Sequence, residues 1–300
     1  MTRQKKNLTP VTCNLCGGVR QQVLALSQTY RFIRCKECHL ESVDPLPKQQ
    51  ELVTQYDGFF AGRAVQKEFN IYVGLAESSL RHHLYCLSAF GARTGKGGSF
   101  LDIGFGGGHY LGAAERLGLI PHGVELDHAA FQRAKELGFG NIYNCRADQL
   151  PFPRDSFDIV KAMHVLEHTT DPLGVLRSMF ALTKPGGWAI VDVPNQASKI
   201  ARLKILLRGL GMKREEYGYL QPPVHLYAFT PQTLKAMIEK AGFAVVRTIF
   251  TSPIEQRYFP TTPRYFGSTR GQTLKTLYHI VGSGSYLCVY ARKDGRDGPC

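Results

Sequence analysis

The chain has 300 residues, 43% hydrophobic and 20% charged, enough apolar material for one large domain plus a small one, which excludes a disordered or fibrous protein. No run of about 18 apolar residues suggests a membrane span, and the opening MTRQKKNLTP lacks the apolar stretch of a secretory signal, so a cytoplasmic protein is expected. The formal net charge of +13 favours an anionic partner, whether nucleic acid, an acidic or phosphorylated substrate or a membrane surface; a simply basic surface is an equal reading.

Four of the eight cysteines form two Cys-x-x-Cys pairs, Cys13–Cys16 and Cys35–Cys38, with 18 residues between the pairs. Each pair can curl through a knuckle turn, and four thiolates complete a closed tetrahedral shell, the mark of a structural zinc. Gly17 and Gly18 suit the first turn, and QVLALSQTYRFIRC between the pairs alternates enough for two short strands. A zinc ribbon is expected over residues 1–47. A helical connector covering the cofactor site should follow at 48–98, with its helix over Ala64–Phe90, and Tyr56, Phe59 and Phe60 serve either as a cover or as packing.

From Ser99 onward strand and helix alternate regularly, which predicts a parallel sheet covered on both faces. The stretch SFLDIGFGGGHY is a strand emptying into a glycine-rich turn that opens a helix. Glycines let the backbone turn tightly against a ligand, and a helix N-terminus presents N–H groups. A dinucleotide fingerprint wants a sixth-position glycine where His109 stands, so a pyrophosphate is disfavoured. Glu125 falls 23 residues beyond Asp102, at the tip of the second strand, where an acid accepts hydrogen bonds from ribose hydroxyls. Asp127 is read as the cap of the next helix.

The run Asp102–Gly108 resembles motif I of the class I S-adenosylmethionine-dependent methyltransferases. YRFIRCKECHLESVDPLP with YDGFF resembles the front end of a bacterial group of these enzymes linked to cell-surface polysaccharide and secondary-metabolite pathways. That group shows glycine after the fourth cysteine, where His39 stands here. SFDIVKAMHVLEHTTDPLGVLRSMFALTKPGGWAIVDVPN is similar to the family over its whole length. The resemblance implies a Rossmann-like seven-stranded, mostly parallel sheet with an antiparallel edge hairpin over 99–300, the hairpin being Ala244–Phe250 with Tyr286–Ala291. It implies S-adenosylmethionine as cofactor, with Asp102, Gly104, Gly106, Gly108, Glu125, Leu126, Ala147, Asp148 and His164 around it. The family's first acid on the third strand is replaced by Arg146, so Asp148 is the carboxylate available for adenine.

Two insertions, 196–229 and 251–285, should wall the acceptor pocket, the second being read equally as a dimer contact. In the first, Ile200, Leu203, Leu206/Leu207 and Leu210 share one helical face, with Lys199, Arg202, Lys204, Arg208, Lys213 and Arg214 around them. Such a helix over 199–214 either lies on an anionic membrane or lipid-linked substrate, or packs as a lid on its own domain. HLYAFTPQTL is similar to a family segment in which Thr230 caps a helix starting at Pro231.

Methyl transfer from a sulfonium is mostly a matter of positioning, to which the protein can add a base for the acceptor's proton. His164, His168 and His225 are the candidates, His164 being read equally as lining the methionine end of the cofactor, while Glu167 and His168 are read alternatively as structural or, by resemblance to quinone-type O-methyltransferases, as holding a divalent metal. The expected function is O-methylation of an anionic or partly apolar intermediate, whether a sugar, a lipid-linked compound or a secondary metabolite. The alternatives are an RNA methyltransferase and a cofactor-binding scaffold without turnover. Against RNA, the fourth strand ends Ala-Met-His-Val rather than in a base-methylation motif, and no aromatics are interleaved with Lys and Arg near the ribbon.

Overall fold

The computed structural model describes residues 11–48, 51–52, 66–92, 95–147, 149–212, 214–251 and 284–295. The ribbon contributes β1 (Gln21–Leu26), β2 (Arg31–Cys35) and β3 (Glu41–Asp44). After the long helix α1 (Gln66–Ala89) come β4 (Ser99–Ile103), α2 (His109–Arg116), β5 (Ile120–Glu125), α3 (His128–Glu136), β6 (Ile142–Asn144) and β7 (Phe157–Met163). A 3-10 turn, Leu166–His168, precedes α4 (Pro172–Leu182), β8 (Thr183–Pro194), α5 (Lys199–Gly209), β9 (Tyr227–Ala228), α6 (Pro231–Lys240), β10 (Ala244–Thr251) and β11 (Tyr286–Arg292). Tyr56, Phe59, Phe60, Asp148, Lys213 and nearly all of the second insertion lie outside the described residues.

The main sheet has seven strands in the order β10-β11-β8-β7-β4-β5-β6. The pairs from β6 through to β8 are parallel, and β11 and β10 add the antiparallel edge. The class read from the residues is the one observed. The central strands read as continuous apolar runs because parallel strands are covered on both faces. Phe100, Leu101, Ile103, Val160, Ala189 and Val191 are all fully enclosed; burying one such large side chain contributes ~1.5–3 kcal/mol.

Helix starts follow local chemistry. Asp127 accepts from the N–H groups of Ala129 and Ala130, Asp171 caps α4 ahead of Pro172, and Thr230 with Thr233 forms a capping box on α6. One boundary differs from the reading by motif. Lys184–Gly187 is an irregular stretch inside β8 rather than a turn before it: pairing with β7 shifts register here, and Gly186 has φ 79°. A side chain at Gly187 would meet the Lys184 carbonyl oxygen at 2.9 Å, so the kink requires glycine.

The ribbon is not an appendage. Its sheet runs β1-β2-β3-β9, taking its fourth strand from the first insertion of the core, with Glu41 opposite Ala228 and Ser42 opposite Tyr227. One apolar cluster runs from Cys13, Phe32 and Val43 into Leu101, Val160, Leu226 and Phe229. Polar ties join the same surfaces. Asn14 Nδ2 donates to Asp171 Oδ1 at 2.7 Å and Asn14 Oδ1 accepts from Leu173 N at 2.9 Å. Gln196 Nε2 donates to buried Glu41 Oε2 at 2.7 Å. α1, for its part, lies on the opposite sheet face, where Ala76, Leu80 and Leu87 join Phe100, Ile159, Trp188 and Tyr290.

Candidate active site

β4 sits between β5 and β7, and the chain leaves β4 in one direction through β5 and β6 before returning to β7 and β8 on the other side. That reversal opens a crevice beyond the carboxyl ends of β4 and β7. The glycine turn fills its edge. Gly104, Gly106 and Gly108 have φ of 71°, 50° and 74°, a region that side-chain-bearing residues enter at a cost. Gly108 is the residue from which α2 starts. A Cβ on Gly104 would lie 2.8 Å from Val165 Cγ2, so the turn is packed directly against the segment after β7.

Glu125 ties this turn together. Its Oε2 accepts from Gly106 N at 2.7 Å, and its Oε1 accepts from Leu126 N at 2.8 Å and Asp127 N at 2.9 Å. Burial pushes its carboxyl up to about 7, against the pull of those three N–H groups. Leu126, which follows Glu125, and Ala147 are half-buried.

Asp102 is placed differently from what motif reading alone implied. It is 1% exposed, and its Oδ1 accepts from Lys161 Nζ at 3.1 Å. The ammonium also stands 3.6 Å from the centre of the Tyr110 ring. The carboxylate is engaged inside the sheet rather than at the crevice surface. Burial raises its pKa, with Lys161 opposing the rise.

Beyond β7 the three histidines singled out from the sequence come together around Glu167. His164 adopts φ 52°, a left-handed conformation unusual for a residue with a side chain and a form of strain that clusters at functional sites. Its Nδ1 is 3.0 Å from Glu167 Oε1, and its Nε2 is 3.7 Å from Asp192 Oδ1. His168 and His225 stack edge to face with ring centres 4.7 Å apart. Their Nδ1 atoms meet backbone carbonyls, His168 with Val224 O and His225 with Tyr219 O, each at 2.9 Å. A carbonyl only accepts, so in both rings Nδ1 carries the proton and Nε2 the lone pair.

Burial opposes the charge on Glu167, but the His164 hydrogen bond and the surrounding imidazoles overcome it and hold the carboxyl down at about 2. Burial pushes His225 down to about 4, helped by His168, and lowers His168 as well, so both rings are neutral near pH 7. Leu226 N donates to Glu167 O at 2.7 Å, which couples this cluster to β9 and through it to the ribbon. Three side chains here were not singled out from the sequence as site residues: Asp192, Tyr286, whose ring meets His164 edge-on at 5.1 Å, and Tyr219. An acid near the end of an otherwise apolar strand, as in VDVPN, was the available signal for Asp192.

Cys13, Cys16, Cys35 and Cys38 also converge, with their sulfurs all within 4.8 Å of one another. Sγ–Sγ separations of 3.4 Å and 3.5 Å approach the ~3.8 Å edge of a tetrahedron with metal–sulfur bonds of about 2.3 Å. The two knuckles match: Gly17 N donates to Cys13 O and His39 N to Cys35 O. Gly17 and His39 occupy equivalent left-handed positions, at φ 80° and 64°, which explains why glycine is the usual residue where His39 stands.

Glycine turn, strand-tip acid and histidines all lie beyond the carboxyl ends of parallel strands, and an antiparallel hairpin closes the sheet edge. This is the architecture of the class I methyltransferases. The chain belongs to the family described as Methyltransferase domain, which matches residues 80–248, and it is an S-adenosylmethionine-dependent methyltransferase. It is 30% identical over 179 residues to the ubiquinone biosynthesis O-methyltransferase of Paracidovorax citrulli, spanning 54% of this chain and 71% of that one. It is 31% identical over 180 residues to the ubiquinone/menaquinone biosynthesis C-methyltransferase UbiE of Vibrio vulnificus, spanning 53% and 68%. Against the ubiquinone biosynthesis O-methyltransferase of Albidiferax ferrireducens, 31% identical, the match covers 44% of this chain and 58% of the relative's length. A SAM-dependent methyltransferase from Archaeoglobus fulgidus shares the fold at TM-score 0.51 and 19% identity, over 74% of this chain and 94% of that one.

Proposed function

We propose that this protein is an O-methyltransferase acting on a hydroxyl of an anionic or partly apolar biosynthetic intermediate, either a small molecule or one linked to a sugar or lipid. The observation that carries this is the His164–Glu167 pair at the end of β7, packed against the cofactor turn through Val165. An ionised carboxylate on Nδ1 makes Nε2 the basic nitrogen of His164. When bound, S-adenosylmethionine supplies a methyl group on a sulfonium, whose S–CH3 bond breaks with its electron pair staying on sulfur as the acceptor's O–CH3 bond forms. His164 Nε2 takes the acceptor's hydroxyl proton, and the resulting imidazolium lies between the carboxylates of Glu167 and Asp192. His168 and His225, neutral with Nε2 lone pairs, orient the acceptor by receiving hydrogen bonds from its hydroxyls. Glu125 takes the ribose hydroxyls of the cofactor, and Gly104, Gly106 and Gly108 let its amino-acid end approach the backbone.

The relatives are named for both oxygen and carbon methylation in quinone biosynthesis; a half-buried base paired with a carboxylate favours oxygen, since a hydroxyl needs its proton removed. The four-cysteine cluster we assign to one zinc ion in a structural role, because four thiolates leave no open position for chemistry. The test is methyl transfer from labelled cofactor to a panel of hydroxylated acceptors. His164→Ala should lower the rate by about 10²–10⁴, partly recovering at high pH, with cofactor affinity retained. Unchanged turnover in that variant refutes the assignment.

A further inference from the structure

We propose that the outward face of α5 docks the protein on an anionic lipid bilayer. This goes beyond the catalytic reading and depends on no part of it.

The helix is mounted with polar groups inward. Lys204 Nζ lies 4.6 Å from the centre of the Tyr219 ring, and the Arg208 guanidinium lies 4.9 Å from that of Phe32 in the ribbon. Arg208 also donates to the carbonyl oxygens of Leu26, Arg214 and Glu216. Ala201 alone among the residues of α5 is buried. Left facing water are Leu203, Leu206 and Leu210, 47%, 61% and 70% exposed, with Met212 just beyond at 56%. Spacings of three and four residues put the three leucines in one stripe. A surface helix of a globular protein normally turns that stripe to its own core, so a stripe held outward by contacts on the opposite side marks a surface with an external partner.

Charge identifies the partner. The sequence KIARLKILLRG carries Lys199, Arg202, Lys204 and Arg208 and no acid, in a chain of net charge +13. Lys199 and Arg202 are exposed beside the leucines. Apolar side chains on a convex ridge with cations at the rim match the boundary of a bilayer, where the leucines enter the acyl region and the cations meet lipid phosphates. The α5 of a second copy of the chain would offer Lys199 and Arg202 no acid. A small metabolite needs a concave site, and this is a ridge.

The test uses the full chain, zinc-loaded, sedimented with vesicles of equal parts phosphatidylglycerol and phosphatidylcholine, and with phosphatidylcholine alone. Binding to the anionic vesicles is expected to be at least tenfold tighter and to weaken with salt. Leu206→Gln with Leu210→Gln should reduce it at least tenfold, and Arg202→Glu several-fold. Leu203→Asn serves as a milder second variant, and unchanged thermal unfolding and cofactor affinity confirm that each folds. No binding of the parent to anionic vesicles, or equal binding by the variants, overturns the proposal. So does a parental dimer that the leucine variant converts to a monomer.

Discussion

Glu125 allows the cofactor site to be tested without knowing the acceptor. Its carboxylate accepts three backbone N–H groups at 2.7–2.9 Å in a nearly closed environment, and one of these, Gly106 N, belongs to the cofactor turn. With the proposed ribose contact, Glu125→Ala removes a charged acceptor from the ribose, and in any case it frees the turn. A hydrogen bond to a charged group is worth ~1.5–3 kcal/mol, so affinity for S-adenosylmethionine should fall about 10- to 150-fold. The pH dependence is more discriminating. Because burial places this carboxyl at about 7 in the free protein, it is largely protonated at pH 5.5 and ionised at pH 8.5. Ribose hydroxyls donate to the ionised form, so cofactor affinity should rise with pH, by at most about 30-fold over this interval if the bound carboxyl stays ionised. Folding has the opposite sign. The folded state holds a proton that the unfolded state, at the ordinary value of 4.5, releases, so stability of the unliganded protein falls as pH rises from 4.5 towards 7. Calorimetry at four pH values on the parent and on Glu125→Gln is the assay, the variant subtracting the cofactor's own titration. A parental profile parallel to that of the variant would refute the reasoning.

Further expectations concern the scaffold and the metal. Elemental analysis should find one zinc per chain, and Cys35→Ser should lose it together with thermal stability, because the ribbon and the core share one apolar cluster; a metal-free parent would refute this. Lys161→Met strands the Asp102 carboxylate among apolar side chains, a loss of ~3–5 kcal/mol in denaturant unfolding. Adding Asp102→Asn should restore most of it, and failure of the double variant to recover would mean that the pair is not the source of the loss.

Much of this protein is determined by short-range chemistry that a chain displays without folding. The glycines at 104, 106 and 108 are legible because left-handed backbone is a local demand, and all three are left-handed in the structure. The cysteine spacing is legible because a knuckle closes within five residues, as Cys13–Gly17 and Cys35–His39 do. The parallel sheet shows itself in repeated apolar strands alternating with capped helices.

Tertiary structure alone decided the rest. Asp102 reads as a cofactor residue until Lys161, 59 positions away, is brought beside it in a site closed to water. β9 is two residues long, too short for any periodicity, and exists because β3 offers it an edge. Glu167, His168 and His225 meet only when the first insertion folds back over the end of β7. The clearest case is α5. Its sequence shows that one side is apolar, but amphipathicity has no sense of direction. Arg208 on Phe32 and Lys204 on Tyr219 hold the opposite side inward, and the first of those contacts exists only once the ribbon is in place beneath the helix.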